Sequence, residues 1–128
     1  MIEAYFRHIE SLLASTGIVH SSGITYDKRS TFLGFIRGNI YFLDGSTLHV
    51  REFVNVQRDT DHYMYVYQYQ SPTHDFIFRY DNTPHFPHLS TFPHHKHEGH
   101  DAHVVAARPP SLETVLSEID HYLSGAGL

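Results

Sequence analysis

Residues 62–70, His62-Tyr63-Met64-Tyr65-Val66-Tyr67-Gln68-Tyr69-Gln70, place a tyrosine at every second position. That period belongs to a β-strand, whose successive side chains leave opposite faces. Tyr63, Tyr65, Tyr67 and Tyr69 then share one face, and Met64, Val66, Gln68 and Gln70 the other. The β pattern extends outward from this stretch. Upstream, Ile18–Arg29 and Thr31–Phe42 read as two strands turning near Lys28-Arg29-Ser30, and Asp44-Gly45-Ser46 turns the chain into Thr47–Gln57. Arg58-Asp59-Thr60-Asp61 is a polar turn before the tyrosine strand. Downstream, Ser71-Pro72-Thr73 leads into His74–Tyr80. Such short connections favour an antiparallel meander of about five strands over residues 18–80.

A helix is expected at each end of this sheet. Over residues 2–15, Ile2, Phe6, Ile9 and Leu13 form one stripe with Tyr5 and Leu12 beside it. Glu3, Arg7 and Glu10 face away, and Gly17 suits a C-terminal stop. Near the other end, Pro109-Pro110-Ser111 opens a helix over residues 111–124 with Ser111 as N-cap and Glu113 at its positive end. Its apolar face is Leu112, Val115, Leu116, Ile119 and Leu123, and Gly125 or Gly127 ends it. Asp81-Asn82-Thr83-Pro84 closes the sheet. The His/Pro segment 84–103 has neither helical nor strand period and is expected to be a long loop, with Val104–Ala106 suited to a short closing strand. The fold class is α+β: an antiparallel meander with an N-terminal and a C-terminal helix, in a single domain covering residues 1–128.

Composition narrows the function. A chain of 128 residues that is 41% hydrophobic is long enough and apolar enough to bury a core. With no cysteine, disulfides, thiolate metal sites and a cysteine nucleophile are excluded. The N-terminal residues lack a signal-peptide pattern, and no apolar run approaches the roughly 18 residues of a membrane span. A cytoplasmic protein without membrane contact is the expectation. Net charge is −5 with histidine neutral; protonating all 13 histidines adds 13 and gives +8. Electrostatic character therefore depends on pH, and a polyanion must meet a local basic patch, since the chain as a whole is not basic.

Seven of the 13 histidines fall between His85 and His103. Imidazole exchanges protons near neutral pH and ligates transition metals. The segment therefore reads as an acid–base site, a metal site, or a solvated polar loop. His94, His95 and His97 crowd together, with His85 upstream, and two imidazoles flanking a scissile bond suffice for general acid–base catalysis. Lys96 and Arg79 would then hold a phosphate. Alternatively, His94, His95 and His97, with Asp81 as a further candidate, would ligate zinc or another divalent transition metal. Glu52 stands among Leu48, Val50, Val54 and Val56 on one face of its strand. A carboxylate in that setting is either an acid or base, or the structural partner of an arginine such as Arg37 or Arg79. The tyrosine stripe is a stacking platform for unpaired bases if its face is open, and core if a helix covers it. His8, His20, His49, His62 and His121 are scattered and read as structural or surface residues.

Arg79-Tyr80-Asp81-Asn82-Thr83-Pro84-His85, followed by Thr91-Phe92-Pro93-His94-His95-Lys96-His97, resembles the TumE-type toxins of bacterial and archaeal toxin–antitoxin pairs. The similarity runs over nearly the whole chain and includes Leu43-Asp44-Gly45-Ser46, the Glu52 strand and the closing Pro-Ser-Leu-Glu helix. It implies a small cytoplasmic toxin neutralised by a helix-turn-helix antitoxin. A helix followed by an antiparallel sheet is also similar, at the level of fold alone, to RelE and barnase-like ribonucleases. The favoured function is accordingly a metal-independent endoribonuclease acting on RNA. His94, His95 or His97 is its acid, Glu52 or His85 its base, and Arg79 and Lys96, beside Tyr80 and Asp81, bind substrate. No cofactor is needed in that reading. A metal-dependent hydrolase with histidine ligands and a non-enzymatic protein-binding module are the rivals.

Overall fold

The computed structural model describes residues 1–125. Helix α1 covers Ile2–Ser15, as the apolar stripe requires, and Ile9 and Leu13 are buried against the sheet. The helix ends just ahead of Gly17, where the Thr16 hydroxyl donates to the Leu12 carbonyl at 2.6 Å. Five strands follow: β1 Val19–Lys28, β2 Leu33–Phe42, β3 Thr47–Asn55, β4 Asp61–Gln70 and β5 Phe76–Asp81. Two more, β6 His95–Glu98 and β7 Val104–Ala106, precede α2, Leu112–Leu123. Ser111 caps α2 by accepting from the Thr114 amide, and Gly125 follows with φ +76°. Gly127, the other candidate stop, lies outside the described residues.

The sheet has seven strands in the order β1-β2-β3-β4-β5-β6-β7, each antiparallel to its neighbours. The meander is as expected, but the count of about five is corrected to seven. One added strand is the Val104–Ala106 segment, and the other lies inside the segment expected to be a loop. His95-Lys96-His97-Glu98 does have a period of two, but the residues on its buried side are imidazoles rather than aliphatics. A search for alternating apolar residues passes over such a strand.

Both helices pack on one face of the sheet. Leu112, Val115, Leu116 and Ile119 of α2 join Ile9 and Leu13 of α1 over Ile36, Ile40, Leu48, Val50 and Phe78. Tyr65, Tyr67 and Tyr69 are fully buried there, so the tyrosine stripe is core rather than an open platform. Tyr63 departs from the stripe and is 54% exposed. The register between β3 and β4 shifts at this point: Phe53 pairs with Met64 and Val54 with His62, which leaves Tyr63 as the extra residue of a bulge. Tyr63 consequently stacks beside Phe53 on the opposite face, with centroids 5.7 Å apart, and His62 turns toward the helices. Gly34 lets α1 approach β2, since a Cβ at that position would stand 2.6 Å from Ile2 Cγ1 and 2.7 Å from Phe6 Cζ.

Candidate functional site

Strands β5 and β6 pair with Arg79 opposite His97 and Asp81 opposite His95. Because the pairing is antiparallel and in register, all four side chains leave the face of the sheet that the helices do not cover. Asp81, His95 and His97 are buried. The Asp81 carboxylate lies 2.9 Å from His95 Nε2, 3.6 Å from His97 Nε2 and 2.8 Å from Arg79 Nε. It also accepts the Thr83 amide at 3.0 Å. Burial pushes the Asp81 carboxyl up, but the Thr83 amide and the charges of His95 and Arg79 outweigh it and hold it below the ordinary aspartate value. Each ring nitrogen on the far side meets a carbonyl: His95 Nδ1 donates to Pro93 O at 3.0 Å and His97 Nδ1 to Asp101 O at 2.6 Å. Carbonyl oxygens only accept, so both Nδ1 atoms carry hydrogen and both Nε2 atoms point to Asp81. Phe86 packs edge-on against both rings, at 4.7 Å and 5.9 Å between centroids. A pocket of about 360 Å³ opens over the group and is bordered by Arg79, Thr83, His85 and Asp101.

A second polar cluster lies on the helix side. Glu52 is fully buried and accepts from the Tyr5 hydroxyl, the Tyr67 hydroxyl at 2.8 Å and His62 Nε2 at 3.0 Å. Its partners are therefore two phenols and an imidazole, in place of the expected Arg37 or Arg79. Burial, reinforced by the Glu52 charge, lifts the Tyr5 and Tyr67 hydroxyls well above the ordinary tyrosine range, which keeps both as donors. His94 stacks on Tyr65 at 5.8 Å, and its Nδ1 lies 3.0 Å from the Tyr65 hydroxyl. Burial, then the charge of His95, lowers the His94 pKa. Tyr5, His62, Tyr65 and His94 line a cavity of about 800 Å³ that also touches the first residues of α1 and α2.

The sequence-derived candidates thus separate into groups. Arg79, Asp81, His85, His95 and His97 meet at one pocket. His94 lines the cavity on the other side of the sheet, and Glu52 is buried behind the lining residues Tyr5 and His62. Lys96 and Tyr80 form a third group: Lys96 Nζ lies 2.9 Å from Glu118, and the Tyr80 hydroxyl donates to Glu118 at 2.6 Å. Burial first, and Glu118 second, push the Tyr80 hydroxyl up to about 12. For Lys96, burial acts downward, but Glu118 and Tyr80 outweigh it and raise the value. The pair ties β5 and β6 to α2. His62 and Tyr5 are the residues missed from sequence. Strict alternation back from Tyr65 sends His62 to the face away from Glu52, and only the bulge reverses it.

This is a small α+β protein with an ionisable cluster set across two paired strands. The family model for the toxin TumE matches residues 9–123, most of the chain. The chain belongs to the TumE toxin family. No curated protein and no solved structure matches it. Among the described residues, no helix is long and apolar enough to cross a membrane.

Proposed function

We propose that this toxin acts as an endoribonuclease in the cytoplasm, with its active centre at the pocket of Arg79, Asp81, His85, His95 and His97. The observation that carries the reading is the register of β5 on β6, which unites the two motif stretches of the chain in one buried, charged group. His97, aligned by Asp81 and the Asp101 carbonyl, and the exposed His85 at the pocket border supply the two imidazoles of acid–base catalysis. One ring takes the ribose 2′-hydroxyl proton as O2′ bonds to phosphorus. The other gives a proton to the 5′-oxygen as the P–O5′ bond breaks, leaving a 2′,3′-cyclic phosphate and a 5′-hydroxyl. Arg79, a third exposed at its side chain, faces the phosphate charge. His95, 1% exposed, acts as a positioning residue for Asp81. Family membership supports a neutralising antitoxin, which we take to be a helix-turn-helix protein.

A second reading makes the same group a divalent metal site. Asp81, His95 and His97 each offer one ligand atom, and these atoms lie within 4.8 Å of one another. Ligand atoms about 2.0–2.1 Å from zinc stand roughly 3.3 Å apart at the edge of a tetrahedron, close to the 3.6 Å between Asp81 Oδ2 and His97 Nε2 and longer than the 2.9 Å between Asp81 Oδ1 and His95 Nε2. Metal-bound imidazoles commonly give their other N–H to a carbonyl, as both of these rings do. In that reading the metal is zinc or another divalent transition ion.

The test is digestion of total cellular RNA by purified, antitoxin-free protein in excess EDTA, with His97→Ala as control. Cleavage by the wild type and none by a folded variant is the expected result. Cleavage that disappears in EDTA and returns with zinc or manganese selects the metal reading, and intact RNA under both conditions removes the nuclease.

A further inference from the structure

The face of the sheet away from the helices gathers four arginines of the chain. Arg29, Arg37, Arg51 and Arg79 make up four of the 9 lysines and arginines, all on or beside that face. The helices on the other side carry Glu3, Glu10, Glu113, Glu118 and Asp120. Three carboxylates of the open face are already engaged, Asp27 with Arg29, Asp81 with Arg79 and Asp101 with His97. Asp61 stands at its rim, at the start of β4.

Arg37 and Arg51 are directly opposite each other across β2 and β3, and both are exposed. Like charges at opposed positions of a sheet repel. Among the described residues neither arginine has a carboxylate partner, so the pair is left for an anion from outside. Aromatic rings continue the same surface. Phe35 and Phe53 meet edge to face at 6.4 Å, and Tyr63 lies beside Phe53. The guanidinium groups of Arg29 and Arg51 reach over Phe35 at 5.7 Å and 5.9 Å. On the next rung His49 bonds Asn39, and Gln68 stands opposite Arg79, leading to the Asp81 pocket. Burial and then the charges of Arg51 and Arg79 lower the His49 pKa, so both guanidinium groups act on this ring.

The geometry points to this open face as a binding track for single-stranded RNA, with Arg37 and Arg51 taking backbone phosphate and Phe53 and Tyr63 stacking on bases. Backbone charge and sequence-tolerant stacking are the two elements that single-strand binders combine. The bulge at Tyr63 therefore builds on this side the platform that the buried stripe of Tyr65, Tyr67 and Tyr69 does not provide. The inference names the substrate class of the proposed ribonuclease and rests on that reading for its purpose, but binding can be measured apart from cleavage.

The experiment is fluorescence anisotropy with a labelled 2′-O-methyl oligouridine 12-mer, which has no free 2′-hydroxyl and is not cut by 2′-hydroxyl attack. Salt is varied for wild type, Arg37→Gln/Arg51→Gln, Tyr63→Ala and the control Arg7→Gln on exposed α1, each shown to melt like wild type. The double variant is expected to weaken binding roughly tenfold or more and to flatten the slope of log affinity against log salt by about 1.4, near 0.7 per lost contact. Tyr63→Ala should weaken binding about fivefold or more with the slope kept. Arg7→Gln should change neither. Wild-type failure to bind, equal affinity for a duplex, or a double variant that keeps affinity and slope overturns the track, as does a face found covered by a second copy or by a protein partner only. RNA cleavage that persists after such a result leaves the catalytic reading standing, and binding without cleavage leaves the track standing.

Discussion

Glu52 illustrates how one residue organises a core that would otherwise be unfavourable. Three donors from α1, β4 and the bulge converge on a carboxylate with no exposed surface. Removing the acceptor leaves the buried Tyr67 hydroxyl without a partner, at about 1–3 kcal/mol, and leaves Tyr5 and His62 with only their mutual 3.2 Å contact. Glu52→Ala should therefore destabilise the fold far more than Tyr67→Phe, which removes one donor and should lower stability by about 1 kcal/mol. Urea unfolding of the two variants checks the order, and a Glu52→Ala protein as stable as wild type would show that water already serves these groups. His62 belongs to this network although nothing in its local sequence marks it. Its role depends on an extra residue in β4, and a bulge is a property of pairing between strands rather than of either strand alone.

At the scale of elements, the helices and the first five strands were legible because each carries an apolar period of its own. Helix α1 runs over the expected 2–15, and Val104–Ala106 is the short closing strand. Strand β6 was not legible, because its buried partners are the ionic groups of β5 and its inward residues are histidines. The docking of α1 is just as dependent on a neighbour. Gly34 has Ile2 and Phe6 where a side chain would begin. Gly34→Ala should displace the first turns of α1 and cost about 1–3 kcal/mol, as overpacking does. A lower melting temperature with reduced helical circular dichroism would register it, and an unchanged melt would mean that α1 shifts without loss.

The whole molecule responds to pH through groups on both sides of the sheet. His94 is held below its ordinary 6.5, so the folded state favours the neutral ring. Its contribution is complete above that value and is lost as pH falls through it toward the folded pKa. Asp81 is held below 3.8; its contribution is present above 3.8 and is lost as pH falls further. Lys96, held above 10.5, contributes below that pH and loses its share on the alkaline side. The melting temperature should therefore fall in two acid steps, the first below pH 6.5 and the second below pH 3.8. His94→Asn should shrink the first step, which His49 shares, and leave the second, as scanning calorimetry across pH would record. A single acid step in wild type would discount the His94 contribution.

By itself the sequence determined the α+β class, the meander, both helices with their faces, and membership of the toxin family. Each of these follows from local periodicity, turn chemistry or contiguous motif residues. Tertiary structure decided which charged groups meet. In β6, the alternation of a paired strand sends His95 and His97 to Asp81, and Lys96 to Glu118. Hydrogen-bond register likewise gathers Arg37, Arg51 and Arg79, far apart in the chain, on one open face. A sign of charge is written at each position, but the face on which it acts depends on register and bulges, and these are settled only when distant strands pair.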